Sequence, residues 1–184
     1  AGLRRATKAH RAPPARPAMR APVFKKSVRF EHAIYFLPRP KGDVVKRVKA
    51  LVASEFKELQ LVAKLSKKPT RQEVSLRLLE DVTKGYRPPS RHMLRHAGAG
   101  LSPAQSKTLQ NSKQALVIRF AHPIAQVWIG LHAASRLLHR VAGVTGGLIW
   151  DEETREVFSR EAWAKRRLKE VPPQVPDVSK HFTI

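Results

Sequence analysis

Cysteine is absent from this sequence. Disulfides, thiolate metal sites and cysteine nucleophiles are thereby excluded together. The redox compartment stays open, because a chain without thiols suits the cytoplasm and an exported state alike. No apolar run approaches the roughly 20 residues of a membrane-spanning helix, and the Arg-rich start lacks the apolar core of a signal peptide. Acids are scarce too: 14 Asp and Glu stand against 36 Lys and Arg, for a formal net charge of +22 and an isoelectric point near 11.4. Residues 1–30 hold nine Lys or Arg and no acid, yet most of the excess lies beyond them. Charge of this size favours an anionic partner, whether nucleic acid, acidic protein or anionic headgroups, without implying base-specific reading.

Several motifs are missing as well. Gly98-Ala99-Gly100 has neither the preceding strand nor the following lysine of a phosphate-binding loop. There is no Gly-x-Ser-x-Gly nucleophile elbow, no zinc finger and no RNA-recognition aromatic motif. No cofactor is expected.

What is present suffices for one domain. The 184 residues are 42% hydrophobic, an ordinary proportion for a folded chain. Residues 1–22 are dominated by Ala, Arg and Pro and have nothing to bury, so 1–26 is expected to be a disordered basic tail. The segment 27–37 is rich in β-branched and aromatic residues and reads as a strand. Gly42 and Asp43 supply a turn and a cap for a helix over 44–56, whose apolar positions Val45, Val48, Leu51, Val52 and Phe56 recur at helical spacing. Residues 59–65 read as the next strand. A helix is expected over 72–83 from Val74, Leu78, Leu79 and Val82, closed by Gly85. Ser102 and Pro103 open a short helix to Leu109, and the apolar run 114–121 reads as a central strand. Pro123 is expected to start the longest helix, to about Val144, with Ile124, Val127, Trp128, Leu131, Leu138 and Val141 on its inner face. Two short strands, 147–150 and 155–158, then flank the turn 151–154, and Ser159 caps a final helix holding Trp163 and Leu168.

The fold class expected is α+β: two β-α-β-like halves form one mixed sheet with helices packed on it. Residues 27–184 form a single domain. The chain begins at Ala1 rather than Met and ends in a strand-like stretch, 180–184, so it reads as part of a longer protein. Its compartment, bacterial cytoplasm or an exported location, and its oligomeric state stay open.

Four sets of side chains are candidates for chemistry. His92 and His96 stand four residues apart, a spacing zinc can use on a helix, but Arg91 and Arg95 beside them would repel a cation and no metal site is assigned. His132, Arg136 and His139 share a side of the longest helix with Arg140; the stripe suits an anion, or merely the solvated side of an amphipathic helix. Asp151, Glu152 and Glu153 form the densest acid, suited to acid-base work or equally to an ordinary turn. The fourth set is cationic. Lys84, Arg87, Arg91, Arg95, Arg136, Arg140, Lys165, Arg166 and Arg167 form the expected anion-binding surface, with Tyr86 positioned to stack on a base.

Residues 145–159, within the longer stretch 114–168, resemble a family of uncharacterised bacterial α/β proteins, as do Tyr86-Arg87-Pro88-Pro89-Ser90 and Gly100-Leu101-Ser102-Pro103-Ala104-Gln105. The resemblance implies an α/β fold and a bacterial source. It implies no activity, so no site residue carries over. The leading expectation is a non-catalytic module that engages an anionic partner through its basic tail and surface. The alternatives are a hydrolase-type enzyme using the acidic turn and histidines, and a ribosome- or nucleic-acid-associated protein.

Overall fold

The computed structural model describes residues 27–37 and 40–169. The basic leader 1–26 and the strand expected over 180–184 lie outside them.

The described residues form an α+β fold, a seven-stranded mixed sheet with five α-helices. Strand β1 (Ser27–Tyr35) leads to helix α1 (Val44–Glu55) and to the short β2 (Leu59–Leu61). Asp43 caps α1 by accepting the Lys46 N–H at 2.9 Å. Then come β3 (Gln72–Leu79), a 3₁₀ turn (Val82–Lys84), α2 (Arg91–Ala97), β4 (Gly98–Ala99) and α3 (Pro103–Leu109). Ser102 and Gln105 close a reciprocal capping box on α3. The chain continues through β5 (Ala115–Pro123), a second 3₁₀ turn (Ile124–Gln126), α4 (Val127–Thr145), the hairpin β6 (Leu148–Asp151) and β7 (Glu156–Phe158), and α5 (Arg160–Arg167). Among the described residues, no helix is long and apolar enough to cross a membrane.

Spatial strand order is β2-β3-β5-β1-β6-β7-β4. Both β5 and β6 run antiparallel to β1, so they are parallel to each other on either side of it. Helix α4 is therefore the crossover of a split β-α-β unit, and β1-α1-β2 makes a second parallel crossover. The period-two alternation of the strands then sorts the core. Phe30, Ile34, Leu116, Ile118, Phe120, Ile149 and Phe158 meet α1, α4 and Trp163 of α5 on one face. Ala33, Tyr35, Ala115, Val117, Leu148, Trp150 and Val157 meet Leu94 of α2 and Leu109 of α3 on the other.

Three sequence expectations change. Residues 72–79 are a strand, not a helix: Val74, Leu76 and Leu78 satisfy period two, and full pairing with the buried β5 decides between the periods. Strand β2 stops at Leu61 rather than Leu65. Pro123 ends β5 instead of opening a helix, and α4 turns Ala133, Ala134, Leu137, Leu138, Val141 and Ala142 inward. Ile124 and Trp128, expected inside, are exposed.

Candidate functional site

The acidic turn sits between β6 and β7. Register pairs Asp151 with His32 of β1, both on the face covered by α5. Asp151, His32 and Arg167 are all buried. Arg167 donates an Nη2–H to Asp151 Oδ2 at 2.7 Å, while Oδ1 accepts the N–H groups of Glu153 at 3.0 Å and Thr154 at 3.3 Å. The Arg167 guanidinium also lies 5.5 Å from the Trp163 ring centre and 5.6 Å from that of Phe158. Burial pushes the Asp151 carboxyl up, but the positive groups beside it and these hydrogen bonds outweigh that and hold it below its ordinary range. Burial also depresses His32, more than Asp151 raises it, so the imidazole is neutral near pH 7 and Arg167 supplies the balancing charge.

This centre is a brace. His32 Nε2 lies 3.6 Å from Asp151 Oδ1, and the carboxylate oxygens are already engaged by the turn and by α5. Glu152 accepts the Trp150 indole N–H at 2.5 Å and pairs with Arg155 at 2.8 Å. Arg155 holds φ at 59°, the left-handed conformation that closes the hairpin, with its N–H bonded to the Asp151 carbonyl at 2.9 Å. The histidines singled out in the sequence lie elsewhere: His92 and His96 on α2, His132 and His139 on α4. No group of three or more His, Asp or Glu side chains positioned to hold a metal ion occurs among the described residues. A cleft of about 350 Å³ lies between the start of α1 and the end of β3. Its carboxylates are engaged, Asp43 as the α1 cap and Glu80 as acceptor of the Gln114 amide.

A second buried imidazole, His122 of β5, packs against Phe30 and Phe120, and neither ring nitrogen has a hydrogen-bond partner among the described residues. Gly130 of α4 permits this: a Cβ there would come within 2.5 Å of the ring. Desolvation lowers the His122 pKa to about 4.

The cationic set divides in two. Arg136 pairs with Glu58 at 3.4 Å, Arg140 with Glu55 at 2.6 Å and Arg166 with Glu156 at 2.8 Å. With Arg167 turned inward on Asp151, carboxylates meet four of the nine expected anion-binding residues. Lys165 is exposed on α5. The other four stand together along 84–96, Lys84 in the first 3₁₀ turn, Arg87 after it, and Arg91 and Arg95 on α2. All are exposed, and none forms an ion pair among the described residues. His92, Met93 and His96 are exposed between them. Ser90 caps α2 through the Met93 N–H at 3.3 Å. Tyr86 is not on this surface as a stacking platform; it is half-buried and packs on the core shared with Tyr35 and Trp150. Sequence reasoning overlooked the reason for the strip, although it is legible: residues 82–150 contain no Asp or Glu. Comparison with family models, with curated proteins and with solved structures finds no match.

Proposed function

We propose that this protein is a non-catalytic module that binds a polyanion through the strip 84–96, contacting a nucleic-acid backbone through its phosphates. One observation carries the reading. Carboxylates meet Arg136 and Arg140 of α4 and Arg166 and Arg167 of α5, whereas Lys84, Arg87, Arg91 and Arg95 are exposed and have no carboxylate partner among the described residues. An unneutralised strip is where counterion release drives association. With Tyr86 half-buried against the core, the strip offers no exposed Phe, Tyr or Trp ring to the bases among the described residues, which favours recognition of charge and shape over sequence. The family resemblance assigns no role to any of these residues.

The test is titration of the full chain onto fluorescent duplex DNA and RNA over a range of salt. Affinity falls steeply as salt rises. The triple variant R87A/R91A/R95A reduces the slope of log affinity against log salt by about three, near 0.9 per lost phosphate contact. Arg140→Ala, whose guanidinium is held by Glu55, leaves the slope nearly unchanged. Equal effects at the two places would refute the assignment.

A further inference from the structure

The loop between β2 and β3 belongs to a second acid-free stretch: residues 59–72 contain no Asp or Glu. It is tied to two strands through Ser66. The Ser66 N–H and hydroxyl donate to the Glu73 carboxylate at 2.7 and 2.5 Å, and its carbonyl accepts from Arg29. In register, Arg29 of β1 and Glu73 of β3 flank Ala121 of β5 on either side. Their neighbours Phe30 and Val74 belong to the core under α1 and α4. By alternation, Arg29, Glu73 and the loop they hold lie on the other face, the one that α2 and α3 cover farther along.

Lys67 and Lys68 follow Ser66, and both are exposed. Arg77 is exposed on the same face, because Leu76 and Leu78 beside it pack against the opposite core. None of the three forms an ion pair among the described residues. They follow β3 toward the strip 84–96, which begins just past Leu79, where the Val82 N–H bonds to the Lys113 carbonyl. The acids of β1 and β3 on this face are engaged, Glu31 by Arg119 and Glu73 by Ser66. Asp81, between β3 and the strip, is turned back on the N–H and hydroxyl of Thr83 at 2.9 and 2.6 Å. The exposed Glu153 lies past β1 in the β6–β7 turn, which leaves the β3 side of the face as the positive one.

We infer that Lys67, Lys68 and Arg77 are a second phosphate contact, and that the polyanion is a duplex nucleic acid laid along β3 from the loop to the strip. This rests on the polyanion reading above and names the form of the ligand. The six steps from Glu73 to Leu79 span about 20 Å of strand, a length that about six base pairs cover. A lone phosphate cannot reach both contacts, whereas a continuous backbone can. Proteins that hold single strands stack the bases on exposed aromatic rings. Among the described residues this face exposes no such ring: Tyr35 and Trp150 are buried, Tyr86 is half-buried, and the exposed Trp128 is on α4 across the sheet. A duplex has already stacked its own bases and presents its phosphates outward, so unmatched cations suffice to hold it.

The test titrates the full chain over a range of salt with a fluorescent duplex of about 12 base pairs, near 40 Å long, and with each of its separated strands. K67Q/K68Q/R77Q is expected to reduce the slope of log affinity against log salt by about three, as R87A/R91A/R95A does at the other end of the path. K46Q/K49Q, which neutralises two exposed lysines of α1 on the opposite face, leaves the slope nearly unchanged. The duplex binds about tenfold more tightly than either strand at the same salt, in keeping with its denser phosphates. A slope that R87A/R91A/R95A reduces and K67Q/K68Q/R77Q does not would overturn the second contact while the polyanion reading stands; no effect of either set overturns both. A loss with K46Q/K49Q as large as with K67Q/K68Q/R77Q means general attraction rather than a path, and sinks the inference. So does binding of a separated strand as tight as that of the duplex, or displacement of the duplex by polyglutamate at equal charge.

Discussion

Arginine is used in two opposite ways on the two sides of this sheet. Around α4, α5 and the β6–β7 hairpin four arginines are matched: Arg136, Arg140, Arg166 and Arg167 each meet a carboxylate from a different element, so they join α4 to the segment 55–58 and α5 to the hairpin. Along 84–96 arginine is unmatched among the described residues, on and just before a short helix that buries Leu94. The first arrangement spends charge on holding elements together. The second leaves charge facing solvent, where it contributes little to stability and is available to a partner. The same substitution, Arg to Ala, therefore has different consequences at different depths, and a graded series tests whether the division is real.

The largest effect belongs to Arg167→Ala. It leaves the Asp151 carboxylate buried against a neutral His32, and breaking a buried pair by removing one partner typically costs about 3–5 kcal/mol. Urea denaturation near pH 7 measures it. Asp151→Asn with Arg167→Met, which removes both charges, recovers much of the loss. If the single variant is as stable as the parent, Asp151 is not the brace described above.

Acid probes the same interior without mutation. His122 titrates near pH 4 when folded, below its ordinary value of about 6.5. The unfolded chain takes up its proton first, so this contribution is complete above pH 6.5 and is lost progressively as pH falls toward 4, by about 3 kcal/mol in total. His32 is shifted in the same direction by burial. In His122→Leu the imidazole is replaced by an apolar group of similar volume, and the denaturation midpoint should depend less on pH between 6.5 and 4.5. An unchanged profile would show that His122 finds a partner or water that satisfies it.

How much of this was legible beforehand follows from the range of each interaction. Helices α1, α3 and α5 announce themselves by local chemistry: Asp43, Ser102 with Pro103, and Ser159 are caps whose partners lie three residues away. The turn after β6 was legible for the same reason. Residues 72–79 were not, because Val74, Leu78 and Leu79 satisfy helical spacing as well as strand spacing, and only the distant β5 chooses. The inner side of α4 was misjudged at its first turn, where Trp128 and Ile124 look like core residues and are exposed. The acidic turn is legible as a candidate, but its histidine partner is not. His32 reaches it only through the register of β1 against β6, and Arg167 only through the docking of α5. Neither can be read from nearby residues.

Arg140→Ala ranks next. Its guanidinium makes two hydrogen bonds to Glu55, at 2.8 and 2.6 Å, and joins α4 to α1, but both side chains are well exposed. Solvent screens such a pair, so the midpoint should drop slightly at low ionic strength and the difference should vanish in about 0.5 M salt. A loss as large as that of Arg167→Ala would mean that the α1–α4 contact depends on this pair rather than on Val48, Val52, Leu137 and Val141 in the shared core.

The smallest effect on stability, and the most telling, is expected at Arg91 and Arg95. Neither has a carboxylate partner among the described residues, and both are exposed on a helix held by Ser90 and by Leu94. Their replacement by alanine should leave stability within about 0.5 kcal/mol of the parent. Because alanine favours helix at least as well as arginine, α2 should survive intact. Crowding cations in an acid-free stretch is mildly unfavourable, so R91A/R95A should be slightly more stable at low salt, and that advantage should fade as salt screens the repulsion. The same variant weakens polyanion binding in the low-salt titration. A side chain whose removal improves the fold while reducing affinity is one the fold does not require. Were R91A/R95A instead destabilised at every salt concentration, the strip would be structural, and the division between matched and unmatched arginine would dissolve.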